Sequence, residues 1–255
     1  MSFAVSGDSY DRFMGRFSQE LAPAFADFAG VRAGLTAVDV GCGSGVFTEE
    51  LARRLGAENV AGVDPSPLVE AAVGRVPGAD LRQGAAEALP WPDDSFDAAL
   101  AQLVVHFMDD PAAGLAEMAR VTRAGGTVAA CTWDFADGGM ELLGTFWKAV
   151  RAVDSEAPTE TTSFGAPEEL EALWRGQGLD DVCVDALTVS SRYEGFDELW
   201  DSFLLGVGPA GQFAIALEPE RQAAVRQEYH RLLGEPAGAF ELAGRATAVR
   251  GDVPD

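Results

Sequence analysis

The chain has 255 residues, a length that suits one α/β core with helical additions, and 47% of them are hydrophobic, enough to build a buried core. Acidic side chains number 41 against 18 basic ones, giving a net charge of −23 spread along the chain as a solvated surface. That charge opposes a nucleic-acid partner, whose phosphates call for a basic footprint.

In chain order, the pattern predicts a first helix over 10–29 and then, from residue 35, strands alternating with helices. LTAVDV (35–40) reads as a strand ending in a glycine turn. Phe47, Leu51 and Leu55 then recur on one helical face, with Glu49 and Glu50 at its start, Arg53 and Arg54 at its end and Gly56 as its stop. NVAGVD (59–64) is the second strand, and Ser66-Pro67 opens a helix running to about Val76. ADLRQG (79–84) and FDAALAQLVV (96–105) supply the third and fourth strands. Asp110-Pro111 caps a helix, Gly125-Gly126 turns the chain, and TVAACTW (127–133) is the fifth strand. Leu142, Phe146, Val150 and Val153 mark another helix, and Pro167–Trp174 one more. A sixth strand is expected over 181–189 and a seventh over 240–251, with helices over 196–205 and 219–233 and a glycine-rich loop over 206–211. This alternation predicts a parallel sheet covered on both faces.

Cys42, Cys131 and Cys183 lie far apart with no CxxC spacing, which suggests a reducing compartment. With only His106 and His230 to join them, no metal site is expected. Asp8, Asp11, Arg12, Arg16 and Glu20 break any apolar run near the start, so no secretory leader is expected. No apolar run reaches the ~18 residues of a membrane span. A cytoplasmic protein without a membrane partner is the expectation.

The chemistry concentrates in VDVGCGSG (38–45), a strand end followed by Gly41, Gly43 and Gly45 and a helix start. Glycines there let backbone approach a ligand, and the helix N-terminus presents N–H groups to an anion. A dinucleotide turn would want glycine at position 46, where this chain has Val46. Asp64 ends the second strand 19 residues after Gly45, placed to accept hydrogen bonds from ribose hydroxyls.

These residues resemble the class I S-adenosylmethionine-dependent methyltransferases. VDVGCGSG looks like their first motif, GVDPS (62–66) like their second, GAAEALPWPDDSFDAAL (84–100) like the run through their third and fourth strands, and RVTRAGG (120–126) like the segment before their fifth. YDRFMGRFSQELAPAF (10–25), DFADGG (134–139) and FDELWDSFLLGVGPAG (196–211) are similar to a bacterial subgroup, so the resemblance covers nearly the whole chain. It implies a Rossmann-like α/β fold of seven strands in the order 3-2-1-4-5-7-6, the last antiparallel. It also implies one domain over 1–255, with an N-terminal helical cap over 1–33 and a lid insertion over about 190–238. The cofactor implied is S-adenosyl-L-methionine. Gly41, Gly43 and Gly45 would lie under its methionine part, with Asp39 orienting the loop or meeting the amino group through water. Asp64 would hold the ribose, and Gln102 would contact the methionine end. Ala86 and Glu87 stand where the family bonds the adenine edge. Ala85 replaces the aspartate many members carry there, leaving adenine to backbone groups or Glu87.

The implied reaction is methyl transfer to a small molecule by in-line displacement, which positioning alone can accelerate. His106 is the one candidate base, the competing reading being a packed histidine in LVVHF. Phe13, Met14, Phe17, Trp133, Phe146, Trp147, Trp200 and Phe203 are candidates to roof the pocket, although aromatics at helical spacing more often build core. The alternatives are a protein that binds S-adenosylmethionine without methyl transfer, as scaffold or cyclase, and a nicotinamide-dependent oxidoreductase, which Val46 disfavours.

Overall fold

The computed structural model describes residues 11–135, 139–157, 164 and 166–255; the start of the expected cap (1–10) and positions 136–138 of DFADGG lie outside the described residues. Its strands are β1 (Ala37–Val40), β2 (Val60–Asp64), β3 (Asp80–Gln83), β4 (Phe96–Gln102), β5 (Thr122–Trp133), β6 (Asp180–Tyr193) and β7 (Phe240–Asp252). They form one sheet in the order β3-β2-β1-β4-β5-β7-β6. β1 through β5 pair in parallel, and β7 runs antiparallel to β5, Thr127 opposite Asp252 and Trp133 opposite Ala246. Every residue of β1 and β2 is buried, as expected where helices cover both faces of a parallel sheet.

By its contacts the chain divides into two units. One holds the sheet's parallel strands and spans 21–133, 163–187 and 246–255. Its helices include α2 (Val46–Leu55), α3 (Val69–Arg75), α4 (Pro111–Val121) and α6 (Pro167–Gly176). α2 buries Phe47, Leu51 and Leu55, the face its periodicity marked. α4 begins where Asp110 accepts the N–H groups of Ala112 and Ala113, with Pro111 as its first residue. On α6, fully buried Trp174 donates its Nε1–H to the Val128 carbonyl at 2.9 Å, satisfying the one polar atom its indole carries inward.

The other unit comprises 1–20, 134–162 and 188–245. It contains a π-helical turn (Asp11–Gly15), the start of α1 (Arg16–Phe28), α5 (Glu141–Val153), α7 (Phe196–Phe203), α8 (Gly208–Ala216) and α9 (Pro219–Leu232). Its core is aromatic. Phe203 lies 4.4 Å from Phe146 in a stacked pair and 5.0 Å from Phe13 edge-on, and Tyr229 meets both Phe146 and Phe203 edge-on. The Tyr229 hydroxyl donates to the Leu142 carbonyl at 3.0 Å, which joins α9 to α5.

Four expectations are corrected. β4 ends at Gln102 instead of 105, because Leu103 turns left-handed (φ +62°) and Val105–Phe107 forms a 3₁₀ turn. β5 begins at Thr122, before the Gly125-Gly126 turn, with a register shift against β4. The helix after β2 starts at Val69, since the Ser66 hydroxyl turns back to Asp64. Finally, the glycine-rich stretch taken for a loop enters α8 at Gly208, with Pro209 in its first turn.

Candidate active site

β2, β1 and β4 are neighbours in the sheet, and their parallel register sets Val40 beside Val63 and Asp39 beside Leu100. Their carboxyl ends therefore emerge at one edge, bringing Gly41, Asp64 and Gln102 to the same side, where ligands bind in open α/β sheets. All the candidate site residues lie in the unit that carries the parallel strands.

The glycine loop is bent over the end of β2. The Gly41 and Cys42 N–H groups both donate to the Val63 carbonyl, at 2.8 and 3.0 Å, and Gly43 N–H donates to Asp64 Oδ2 at 2.9 Å. The opposite oxygen of Asp64 accepts from Ser66 N–H at 2.8 Å and from the Ser66 hydroxyl at 2.5 Å. Asp64 is thus fixed by both neighbouring loops. Each carboxylate oxygen has two lone pairs, so acceptor capacity remains.

The three glycines differ in what a side chain would meet. A Cβ at Gly41 would stand 2.4 Å from a methyl of Val104, and one at Gly45 2.9 Å from the Cβ of Ala72 on α3. Both positions are therefore spared a side chain for packing. Gly43 alone faces open space, with nothing within 4 Å of the added carbon and a φ of +51°.

Asp39 is buried beneath this loop and accepts a hydrogen bond from the Thr48 hydroxyl at 2.6 Å. It anchors the first turn of α2, and Thr48 is a hydrogen-bond partner that sequence reasoning missed. Burial, opposed by the Thr48 bond and reinforced by the charge of Asp64, pushes the Asp39 carboxyl up to about 7. Burial, then Asp39 and Asp64, likewise raises the Cys42 thiol.

The remaining candidates sit differently. Ala86 is buried in the hydrophobic core beside the sheet. Glu87 accepts the Asp110 N–H at 3.2 Å, so its carboxylate already supports the start of α4. Gln102 is half-buried and pairs in register with Cys131. His106, on the 3₁₀ turn, is half-buried with its ring 3.9 Å from that of Phe107. Its Nδ1 is shielded and has no hydrogen-bond partner among the described residues, and burial lowers the imidazole to about 4. The seven expected roof aromatics and Met14 are all buried, and Phe13, Phe146 and Phe203 build the aromatic core described above.

A doubly wound sheet of this order, with a glycine loop and an acid at neighbouring strand ends, defines a nucleoside-binding Rossmann-like class. A model of the methyltransferase domain matches residues 38–130. The demethylmenaquinone methyltransferase of Roseiflexus castenholzii is 32% identical over 162 residues, covering 57% of this chain and 68% of that protein. The malonyl-[acyl-carrier protein] O-methyltransferase of Serratia marcescens is 30% identical over 204 residues, 77% of this chain and 78% of that one. A putative methyltransferase from Bacillus halodurans shares the fold, with a TM-score of 0.58 at 15% identity over 92% of this chain and 99% of that chain. The chain belongs to the methyltransferase family, and it is an S-adenosylmethionine-dependent methyltransferase. Among the described residues, no helix is long and apolar enough to cross a membrane.

Proposed function

We propose that the strand-end site holds S-adenosylmethionine with its backbone pressed against Gly43 and its ribose on Asp64, and that the acceptor is a small molecule. The carrying observation is the open space at Gly43, the one loop glycine that no protein neighbour explains. The cofactor's charged groups fit the groups present. Asp64 keeps a lone pair on Oδ2 for a ribose hydroxyl, the α2 N-terminus offers N–H groups to a carboxylate, and Asp39 orients the loop or meets the amino group through water. Gln102 is assigned to the methionine end. Because Glu87 already serves Asp110, we assign the adenine edge to backbone groups at Ala86 and Glu87. When bound, the cofactor supplies an electrophilic methyl group on a sulfonium.

His106 is the proposed base. Its lowered basicity keeps the imidazole neutral at physiological pH, the form that can accept a proton from a hydroxyl or ammonium nucleophile. The −23 charge suits a small acceptor better than a polyanion. Three free cysteines accord with a cytoplasmic location. The test is His106→Gln, assayed for turnover with the acceptors of its relatives and with related quinols and acids. A positioned imidazole contributes about 10²–10⁴-fold, so turnover should fall by that factor with cofactor affinity unchanged. Unimpaired turnover beside a lowered melting temperature would return His106 to a packing role.

A further inference from the structure

The loop between β3 and β4 (84–95) follows one face of α4, and all the residues of this contact belong to the unit that carries the parallel strands. Asp110, Gly114, Glu117 and Arg120 recur at helical spacing along that face. The Asp110 N–H donates to Glu87 at 3.2 Å, and a Cβ at Gly114 would stand 3.5 Å from that of Ala86. One turn further, Glu117 Oε2 accepts the Leu89 N–H at 2.8 Å. Arg120 completes the clasp. Its Nη2 donates to the Leu89 carbonyl at 3.1 Å, and its Nη1 to the Trp91 carbonyl at 2.9 Å and to Asp93 at 2.8 Å. Its Nε and Nη2 grip both oxygens of Glu117, at 2.6 and 2.7 Å.

A guanidinium has five N–H groups, and Arg120 spends all five here, three on the loop and two on Glu117. Charge-assisted bonds from a rigid planar fork fix carbonyls in direction as well as distance. The same stretch is tied to β3, where Asp80 accepts the Trp91 Nε1–H at 2.9 Å and Arg82 donates to the Pro90 carbonyl at 2.6 Å. Leu89, held at both its N–H and its carbonyl, directly follows a turn closed by the Ala88 N–H on the Ala85 carbonyl at 3.2 Å. That turn contains Ala86 and Glu87, to which the adenine edge is assigned above. With alanine at 85 and 86 and Glu87 engaged by Asp110, reading of the base falls to backbone groups. Their aim is set by the shape of the turn alone.

We infer that Glu117 and Arg120 are positioning residues for adenine specificity: by fixing residues 89–91 on α4, they hold the 85–88 turn in the shape whose N–H and C=O groups read the base. This rests on the cofactor reading above. Adenine offers an acceptor nitrogen beside a donating amino group, and hypoxanthine reverses both roles. A firmly held N–H and C=O pair rejects hypoxanthine because each group would face its own kind, whereas a loosened turn can adapt to either base.

The experiment titrates S-adenosylhomocysteine and S-inosylhomocysteine into the wild type, Arg120→Met and Arg120→Lys by calorimetry, with melts to confirm folding. Amide exchange at Leu89 is followed in the ligand-free proteins. The wild type is expected to prefer the adenine ligand about ten-fold or more, the effect of one mispaired buried group. Both variants should lose most of that preference, chiefly by weaker binding of S-adenosylhomocysteine, because lysine keeps the charge without the fork. Leu89 should exchange about ten-fold faster in Arg120→Met, its Glu117 acceptor no longer being held in place. Trp174→Phe, which removes a buried hydrogen bond to β5 instead, should lower the melting temperature and leave the preference intact. A wild type that binds both ligands equally, a folded Arg120 variant that keeps the full preference, or unchanged Leu89 exchange would each overturn the inference. So would an equal loss of preference in Trp174→Phe, which would reduce Arg120 to general stability. Each of these outcomes leaves the cofactor reading standing, whereas a wild type that binds neither ligand would strike both.

Discussion

At the scale of single residues, a methyl group added at Gly43 or at Gly45 separates ligand binding from folding. Gly45→Ala puts a carbon 2.9 Å from Ala72 Cβ and 3.0 Å from its Cα, at a φ of +86°. Overpacking of that kind costs about 1–3 kcal/mol, and the left-handed backbone adds to it. Gly43→Ala meets nothing and bears only the backbone cost of about 1–2 kcal/mol. Thermal melts should therefore rank Gly45→Ala clearly below Gly43→Ala, and the reverse order would contradict the packing role given to Gly45. Two buried titratable groups make opposing demands on pH. Asp39 is raised from 3.8 to about 7, so the folded state holds its proton and stability is lost as pH climbs through that window. His106 is lowered from 6.5 to about 4, so the folded state sheds its proton and stability is lost as pH falls from 6.5 towards 4. The two windows overlap and their slopes oppose each other. Urea unfolding of Asp39→Asn should show stability rising from pH 4 to 6.5 more steeply than in the wild type. His106→Gln should tilt the profile the other way, and unchanged profiles in both would contradict the burial argument. The motif residues themselves were legible because strand, turn and helix are adjacent in sequence. The partners that explain them were not. Val104 plugs the space above Gly41 from across the sheet, and the Thr48 bond to Asp39 needs the helix to fold back over the strand end.

Elements follow the same division between local and distant causes. The five parallel strands were readable because each is a short apolar run closed by a turn residue, and strand order followed from the family resemblance. Boundaries slipped where a long-range partner decides. β4 stops at Leu103, whose N–H bonds to the Cys131 carbonyl in β5 while its own backbone turns left-handed. α8 was hidden because Gly206, Gly208 and Gly211 look like loop material. In the fold, a Cβ at Gly211 would come within 2.9 Å of the Gly206 backbone, so that glycine serves close packing at a helix start. The aromatic residues weighed as pocket roof prove to be fully or nearly fully buried, and Phe203 is the hub of those in the helical unit, with Phe13, Phe146, Trp200 and Tyr229 around it. Phe203→Ala should cost about 3–5 kcal/mol in urea unfolding, the range for deleting a large buried aromatic. A loss under ~1 kcal/mol would show that the cluster is loosely packed and free to serve as a pocket wall.

Over the whole molecule, the sheet order, the family membership and the strand-end site agree, and the cofactor is where they meet. The cap over 1–33 and the insertion over 190–238 remain our proposal for a lid, since alternation of strands and helices does not extend to them. Charge acts at this scale as well, and we propose that a net −23 turns polyanions away at a distance. The central claim is that cofactor lies against Gly43 and is held by Asp64, and isothermal calorimetry with S-adenosylhomocysteine tests it most directly. The account predicts one site per chain in the wild type and no detectable heat for Gly43→Val. For Asp64→Ala, loss of a carboxylate hydrogen bond worth about 1.5–3 kcal/mol should weaken binding ten-fold or more, with melts recorded to confirm that each variant is folded. Wild-type affinity in both folded variants would contradict it.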